Sequence, residues 1–104
     1  MMRIYISGPM TGYINMNFPA FEKAAETLRA AGLEVVSPHE VETIINGTWD
    51  AYMRADLALL LTCDAVATLE GHQASIGATL ECHVARALHM PVEPMDYWLK
   101  ELAA

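Results

Sequence analysis

Four short runs of strand-forming residues, each passing into a turn and then a helix-length amphipathic stretch, leave this chain few folds to adopt. Residues 3–7 (Arg-Ile-Tyr-Ile-Ser), 33–37, 65–69 and 91–93 are rich in β-branched and aromatic side chains or bounded by Gly and Pro. Between them, residues 18–31, 48–62 and 75–89 repeat apolar side chains at helical spacing. Asn17 precedes the first helix as its cap, Pro19 lies in its first turn, and Gly32 stands beyond its end. Pro94 opens a last helix carrying Tyr97, Trp98 and Leu102. Residues 8–17 and 70–74 read as loops, and residues 39–47 as a connection with no resolved element, a helical turn being one option.

Strands that alternate with helices of this length form right-handed βαβ units, hence a parallel sheet covered by helices on both faces. The expected architecture is a single small α/β domain over residues 1–104. It is doubly wound in the flavodoxin or Rossmann manner, with four to five strands. In such sheets ligands bind beyond the carboxyl ends of the strands, where strand order reverses. The loops after strands one and three, residues 8–17 and 70–75, belong at that edge.

Two carboxylates break the apolar pattern. Stepping about 100° per residue along 75–89 groups Ile76, Gly77, Leu80, Val84, Ala85, Ala87 and Leu88 on one arc, with Thr79, Cys82, Arg86 and His89 opposite. Glu81 falls inside the apolar arc. In 48–62, Trp49, Tyr52, Met53, Leu57 and Leu60 make the inward face, and Asp56 sits among them. A charged carboxylate on such a face is costly unless partnered, hydrated in a cleft or protonated. Two on consecutive helices point to a shared acidic site. Side chains on a helix lean toward its N-terminus, so Glu81 leans over Ala78 and Gly77 toward the strand edge, beside a gap the size of a sugar. The plainer readings are that Gly77 and Ala78 permit close helix–sheet packing, and that Asp56 is a structural acceptor. Ser75 reads as a helix cap, whose hydroxyl and neighbouring N–H groups can also hold a phosphate.

Charge narrows the partners. The chain has a net charge of −7 with only six Lys plus Arg, and these form no cluster. Binding a nucleic-acid backbone needs several phosphate-neutralising cations, so nucleic acid is not an expected partner. The apolar run 57–61 is far too short to span a bilayer, and the N-terminus lacks a signal-peptide pattern, which points to the cytoplasm and to reduced Cys63 and Cys82. Asn46-Gly47-Thr48 therefore reads as a turn and a cap rather than a glycosylation site. His39, His72, His83, His89 and the two cysteines show no metal-ligand spacing, and Gly8-Pro9-Met10-Thr11-Gly12 is neither a dinucleotide fingerprint nor a P-loop. No metal and no cofactor is expected. The seven methionines read as core filler.

Tyr5-Ile6-Ser7-Gly8-Pro9-Met10, Asn17-Phe18-Pro19-Ala20-Phe21, Tyr52-Met53-Arg54-Ala55-Asp56 and Ser75-Ile76-Gly77-Ala78-Thr79-Leu80-Glu81 together resemble the nucleoside 2-deoxyribosyltransferase family. They are most similar to its small phage and bacterial branch, and the resemblance runs from Arg3 to about Val92. It implies that Glu81 is a nucleophile that attacks the anomeric carbon and forms a covalent glycosyl-enzyme. It further implies that Asp56 handles the nucleobase. Tyr5, Gly8, Pro9, Met10, Ser75 and Gly77 would then surround a nucleoside or nucleotide. Chemically, two carboxylates in different environments can supply an anion to an oxocarbenium-like centre and a proton to a departing base. Ser75 stands where the transferases carry a second aspartate. In that respect the chain is similar to the 2′-deoxynucleoside 5′-monophosphate N-hydrolases, in which a serine there helps hold the phosphate. Those hydrolases' other phosphate contacts, a serine and an arginine, correspond to Pro9 and Thr11 here. The expectation is cleavage of an N-glycosidic bond by hydrolysis or base transfer. The alternatives are a catalytically idle nucleotide binder of the kind a phage might carry, and a purely structural protein. Homo-oligomers, with a neighbour completing the site, are what the resemblance implies for assembly. The tail with Tyr97 and Trp98 is either such a contact or a lid on the chain's own core.

Overall fold

In the computed structural model, which describes residues 2–40 and 47–102, strand β1 (Arg3–Ser7) occupies the middle of a four-stranded sheet. Its neighbours are β2 (Glu34–Val36) on one side and β3 (Ala65–Thr68) on the other, and β4 (Val92–Pro94) follows β3. All three pairings are parallel. The order β2-β1-β3-β4 reverses between β1 and β3, so the crevice opens there, as the alternation of elements requires.

Helices α1 (Phe18–Ala30) and α4 (Met95–Leu102) cover one face of the sheet, and α2 (Trp49–Leu60) and α3 (Ile76–Ala87) the other. The fold is thus a doubly wound α/β domain. Two cores follow from the pleat. Ile4, Ile6, Ala65 and Ala67 join Phe21, Ala25 and Leu28 of α1 and Trp98 of α4. Tyr5 and Val66, pointing the opposite way, join Leu60, Cys63, Cys82 and Ala85.

Thr48 and Ser75 cap α2 and α3, their hydroxyls accepting from the backbone N–H of Ala51 and Ala78. The Asn17 cap is a correction. Asn17 precedes α1 but adopts a left-handed conformation (φ 62°), and its side-chain amide donates instead to the Pro9 carbonyl. With Asn15 and Met16 also at positive φ, the end of the first loop makes a left-handed turn just before α1. Trp98 is buried and donates its indole N–H to Val66 and Glu93 carbonyls, so it closes the chain's own core, while Tyr97 stays partly exposed beside it. A 3-10 turn at Pro38–Glu40 opens the long connection, whose residues 41–46, including the Asn of the sequon, lie outside the described residues. Among the described residues no helix is long and apolar enough to cross a membrane.

Candidate active site

The segments that follow β1 and β3 border a cleft of about 660 Å³, within the range of small-molecule sites. The loop after β1 supplies Gly8, Pro9, Met10, Thr11, Tyr13 and Met16, and α1 supplies Phe18 and Phe21. Helix α2 supplies Trp49, Tyr52, Met53 and Asp56. Residues Ser75, Ile76, Gly77, Ala78 and Glu81 form the wall made by α3 and its cap. Glycine at position 8 keeps this junction tight, because a Cβ there would fall 2.8 Å from the Cβ of Leu69.

Glu81 lines the cleft and is only 4% exposed. Its two oxygens are both occupied. Tyr5 donates its phenol O–H to Oε2 at 2.6 Å, and Ser7 donates its hydroxyl to Oε1 at 2.6 Å. Strand alternation explains the pair, since residues two apart on β1 share a face, here the one α3 packs on. Burial pushes the Glu81 carboxyl up to about 7, opposed by the two hydroxyl donors and reinforced by the Asp56 charge. Burial beside these carboxylates also lifts Tyr5 well above its ordinary range, so the phenol stays protonated and stays a donor. Asp56 is 8% exposed and faces the same cleft.

Asp56, Glu81, Gly8, Pro9, Met10, Ser75 and Gly77 all border this one cleft. Tyr5 does not. It is fully buried behind Glu81 with its hydroxyl engaged there, so it acts on the carboxylate rather than on the cleft surface. The gap expected beside Glu81 is partly filled, because a Cβ on Gly77 would stand 3.1 Å from Met53 Sδ.

The inward arc of α3 differs from the one expected. Cys82, assigned to the outer face, is 2% exposed, whereas Ile76 and Leu88, assigned inward, are 77% and 55% exposed. The buried stripe is Ala78, Glu81, Cys82 and Ala85, small side chains around the carboxylate. Close approach of helix to sheet selects small residues over the most hydrophobic ones, and a wheel weighted by hydrophobicity misses that choice. Ile76 lies in the first turn, bordering the cleft. Similarly, Trp49 is half exposed at the cleft wall rather than in the core, and Asp56 takes the buried place on α2 with Met53 and Leu60.

Sequence reading overlooked Ser7. The signal was present: Tyr5 and Ser7 alternate with Ile4 and Ile6, which marks one polar and one apolar face of a central strand. Among the described residues no group of three or more His, Cys, Asp or Glu is arranged to hold a metal ion.

A family model described as a domain of unknown function (DUF4406) matches residues 2–93. No curated protein matches the chain. Among solved structures, a 2-deoxyribosyltransferase from the psychrotolerant bacterium Bacillus psychrosaccharolyticus superposes with a TM-score of 0.67 at 22% identity, over 86% of this chain and 69% of that one. A conserved protein from Enterococcus faecalis V583 gives a TM-score of 0.68 at 25% identity, over 88% of this chain and 61% of that one. These likenesses establish a shared fold.

Proposed function

The chain belongs to the DUF4406 family, and we propose that it cleaves the N-glycosidic bond of an unphosphorylated nucleoside or deoxynucleoside, with Glu81 as nucleophile and Asp56 as acid–base partner. The observation that carries this reading is a buried carboxylate at the floor of an open cleft. It is held on both oxygens and accompanied by a second carboxylate, from α2, that borders the same cleft. The shared fold with a 2-deoxyribosyltransferase supports it.

The chemistry runs in two displacements. A Glu81 oxygen bonds to the anomeric carbon as the C–N bond breaks, its electron pair leaving on the base, which takes a proton from Asp56. Water then attacks the same carbon, the ester C–O bond returns its pair to Glu81, and Asp56 recovers a proton from the water. If a second base replaces water, the outcome is transfer. Tyr13, Phe18, Trp49 and Tyr52 border the cleft and offer aromatic faces to a planar base.

Preference for an unphosphorylated substrate follows from charge. The six cations of the chain are Arg3, Lys23, Arg29, Arg54, Arg86 and Lys100, and none borders the cleft. No histidine borders it either, and residues 41–46 contribute no Lys or Arg. Arg3 and Arg29 are already paired with Glu34 and Glu40. A phosphate dianion would enter beside two carboxylates without a cation to balance it.

Release of free base from a panel of nucleosides and their 5′-monophosphates tests the proposal. The parent should act on nucleosides at least about tenfold faster than on the matching monophosphates, and Glu81→Gln should lose at least about a thousandfold. Equal turnover by parent and Glu81→Gln overturns the nucleophile. Tight binding by both proteins with no base release from either overturns the enzyme and favours a binder.

A further inference from the structure

We propose that Ser7 is a positioning residue for Glu81, its hydroxyl and that of Tyr5 forming a two-point latch that sets the plane of the carboxylate and eases its return as a leaving group. The inference rests on the reading of Glu81 as nucleophile and adds a residue to it.

Ser7 ends β1, is completely buried, and spends its only hydroxyl hydrogen on Glu81 Oε1 at 2.6 Å. Its oxygen also lies beside the Cys82 thiol, the next residue along α3. One small side chain therefore touches two successive positions of the opposing helix. A carboxylate held through one oxygen still turns about its terminal torsion, which is broad and shallow for glutamate. Donors on both oxygens, rooted two residues apart on one rigid central strand, remove that rotation. The remaining lone pairs then keep one direction toward the cleft.

The same donors bias the chemistry. A hydrogen bond from a hydroxyl to an ionised carboxylate is stronger than one to an ester. When Glu81 is esterified by the glycosyl group, both donors lose strength. When the C–O bond breaks and the pair returns to Glu81, both regain it. The latch thus favours breakdown of the glycosyl-enzyme over its accumulation, and it holds the free carboxylate in its ionised form against burial.

Three variants test this: Ser7→Ala, Ser7→Thr and Tyr5→Phe, each followed by side-chain carboxyl NMR of isotope-labelled glutamate across a pH series. This readout needs no substrate. Ser7→Ala should move the Glu81 titration midpoint upward by about one pH unit, Tyr5→Phe should move it the same way, and Ser7→Thr should restore it. The acidic limb of kcat/KM for base release should move with the midpoint, and Ser7→Ala should accumulate glycosyl-enzyme detectable by mass. A folded Ser7→Ala whose midpoint matches the parent overturns the latch. A shifted midpoint with no base release from the parent or any variant supports the hold on the carboxylate and overturns the glycosidase reading, so the two failures are distinguishable.

Discussion

The two faces of strand β1 are built from adjacent residues and do opposite work. On one face Ile4 and Ile6 are buried under α1 and α4 with Ala25, Leu28 and Trp98, an apolar layer whose Phe21 reaches the edge of the cleft. On the other, Tyr5 and Ser7 meet Glu81 of α3, and the layer opens into the cleft. Both faces are buried to the same degree, and hydrophobicity alone does not separate them. The difference lies in whether each buried polar atom has a partner. A carboxylate survives beside Tyr5 and Ser7 because two hydroxyls donate to it, and even so burial lifts it to about 7.

The comparison breaks most severely if a carboxylate is placed on the sealed face. Ile6→Glu puts an acid into a cluster of Ile, Ala, Leu and Phe side chains. A loss of more than about 4 kcal/mol is expected at neutral pH. Circular dichroism and denaturant titration would show a chain largely unfolded, and a cooperative transition near the parental midpoint would refute the contrast.

Removing the charge from the open face should act in the other direction. Glu81 titrates near 7 in the fold against an ordinary value of 4.5, so the folded state holds the proton more tightly than the unfolded chain. Stability contributed by this group is fully present below about pH 4.5, falls as pH rises toward 7, and is absent above it, a penalty of about 3 kcal/mol. Glu81→Gln should therefore be more stable than the parent at pH 8 by up to that amount, the gap closing toward pH 4. Urea unfolding at both ends of this interval measures it. A gap of the same size at both ends would mean that packing, not charge, sets it. Stabilisation at the expense of base release is the trade expected of a functional carboxylate.

The smallest effect concerns the seam that holds the sealed face shut. Trp98→Phe keeps most of the apolar area but deletes the N–H that reaches Val66 and Glu93 carbonyls, and should cost about 1–2 kcal/mol by thermal unfolding. Base release at a temperature well below the transition should be unaffected, since Trp98 does not border the cleft.

Much of this was legible from local pattern. The four strands and four helices fall within a few residues of where alternation, turn residues and caps put them, with Thr48 and Ser75 capping as their residue types require. Glu81 and Asp56 were visible as polar breaks in apolar arcs, because helical periodicity is a short-range property. Cys82, Ile76 and Leu88 were not placed correctly, because which side of an arc meets the sheet depends on how closely the helix can approach.

What the amino-acid order determined alone was the type of each element and the two misplaced acids, since both follow from neighbours a few positions apart. The tertiary structure decided which groups those acids meet. Tyr5 and Ser7 reach Glu81 across separations of 76 and 74 residues. That meeting depends on strand order and register, which long-range packing selects and no local periodicity encodes.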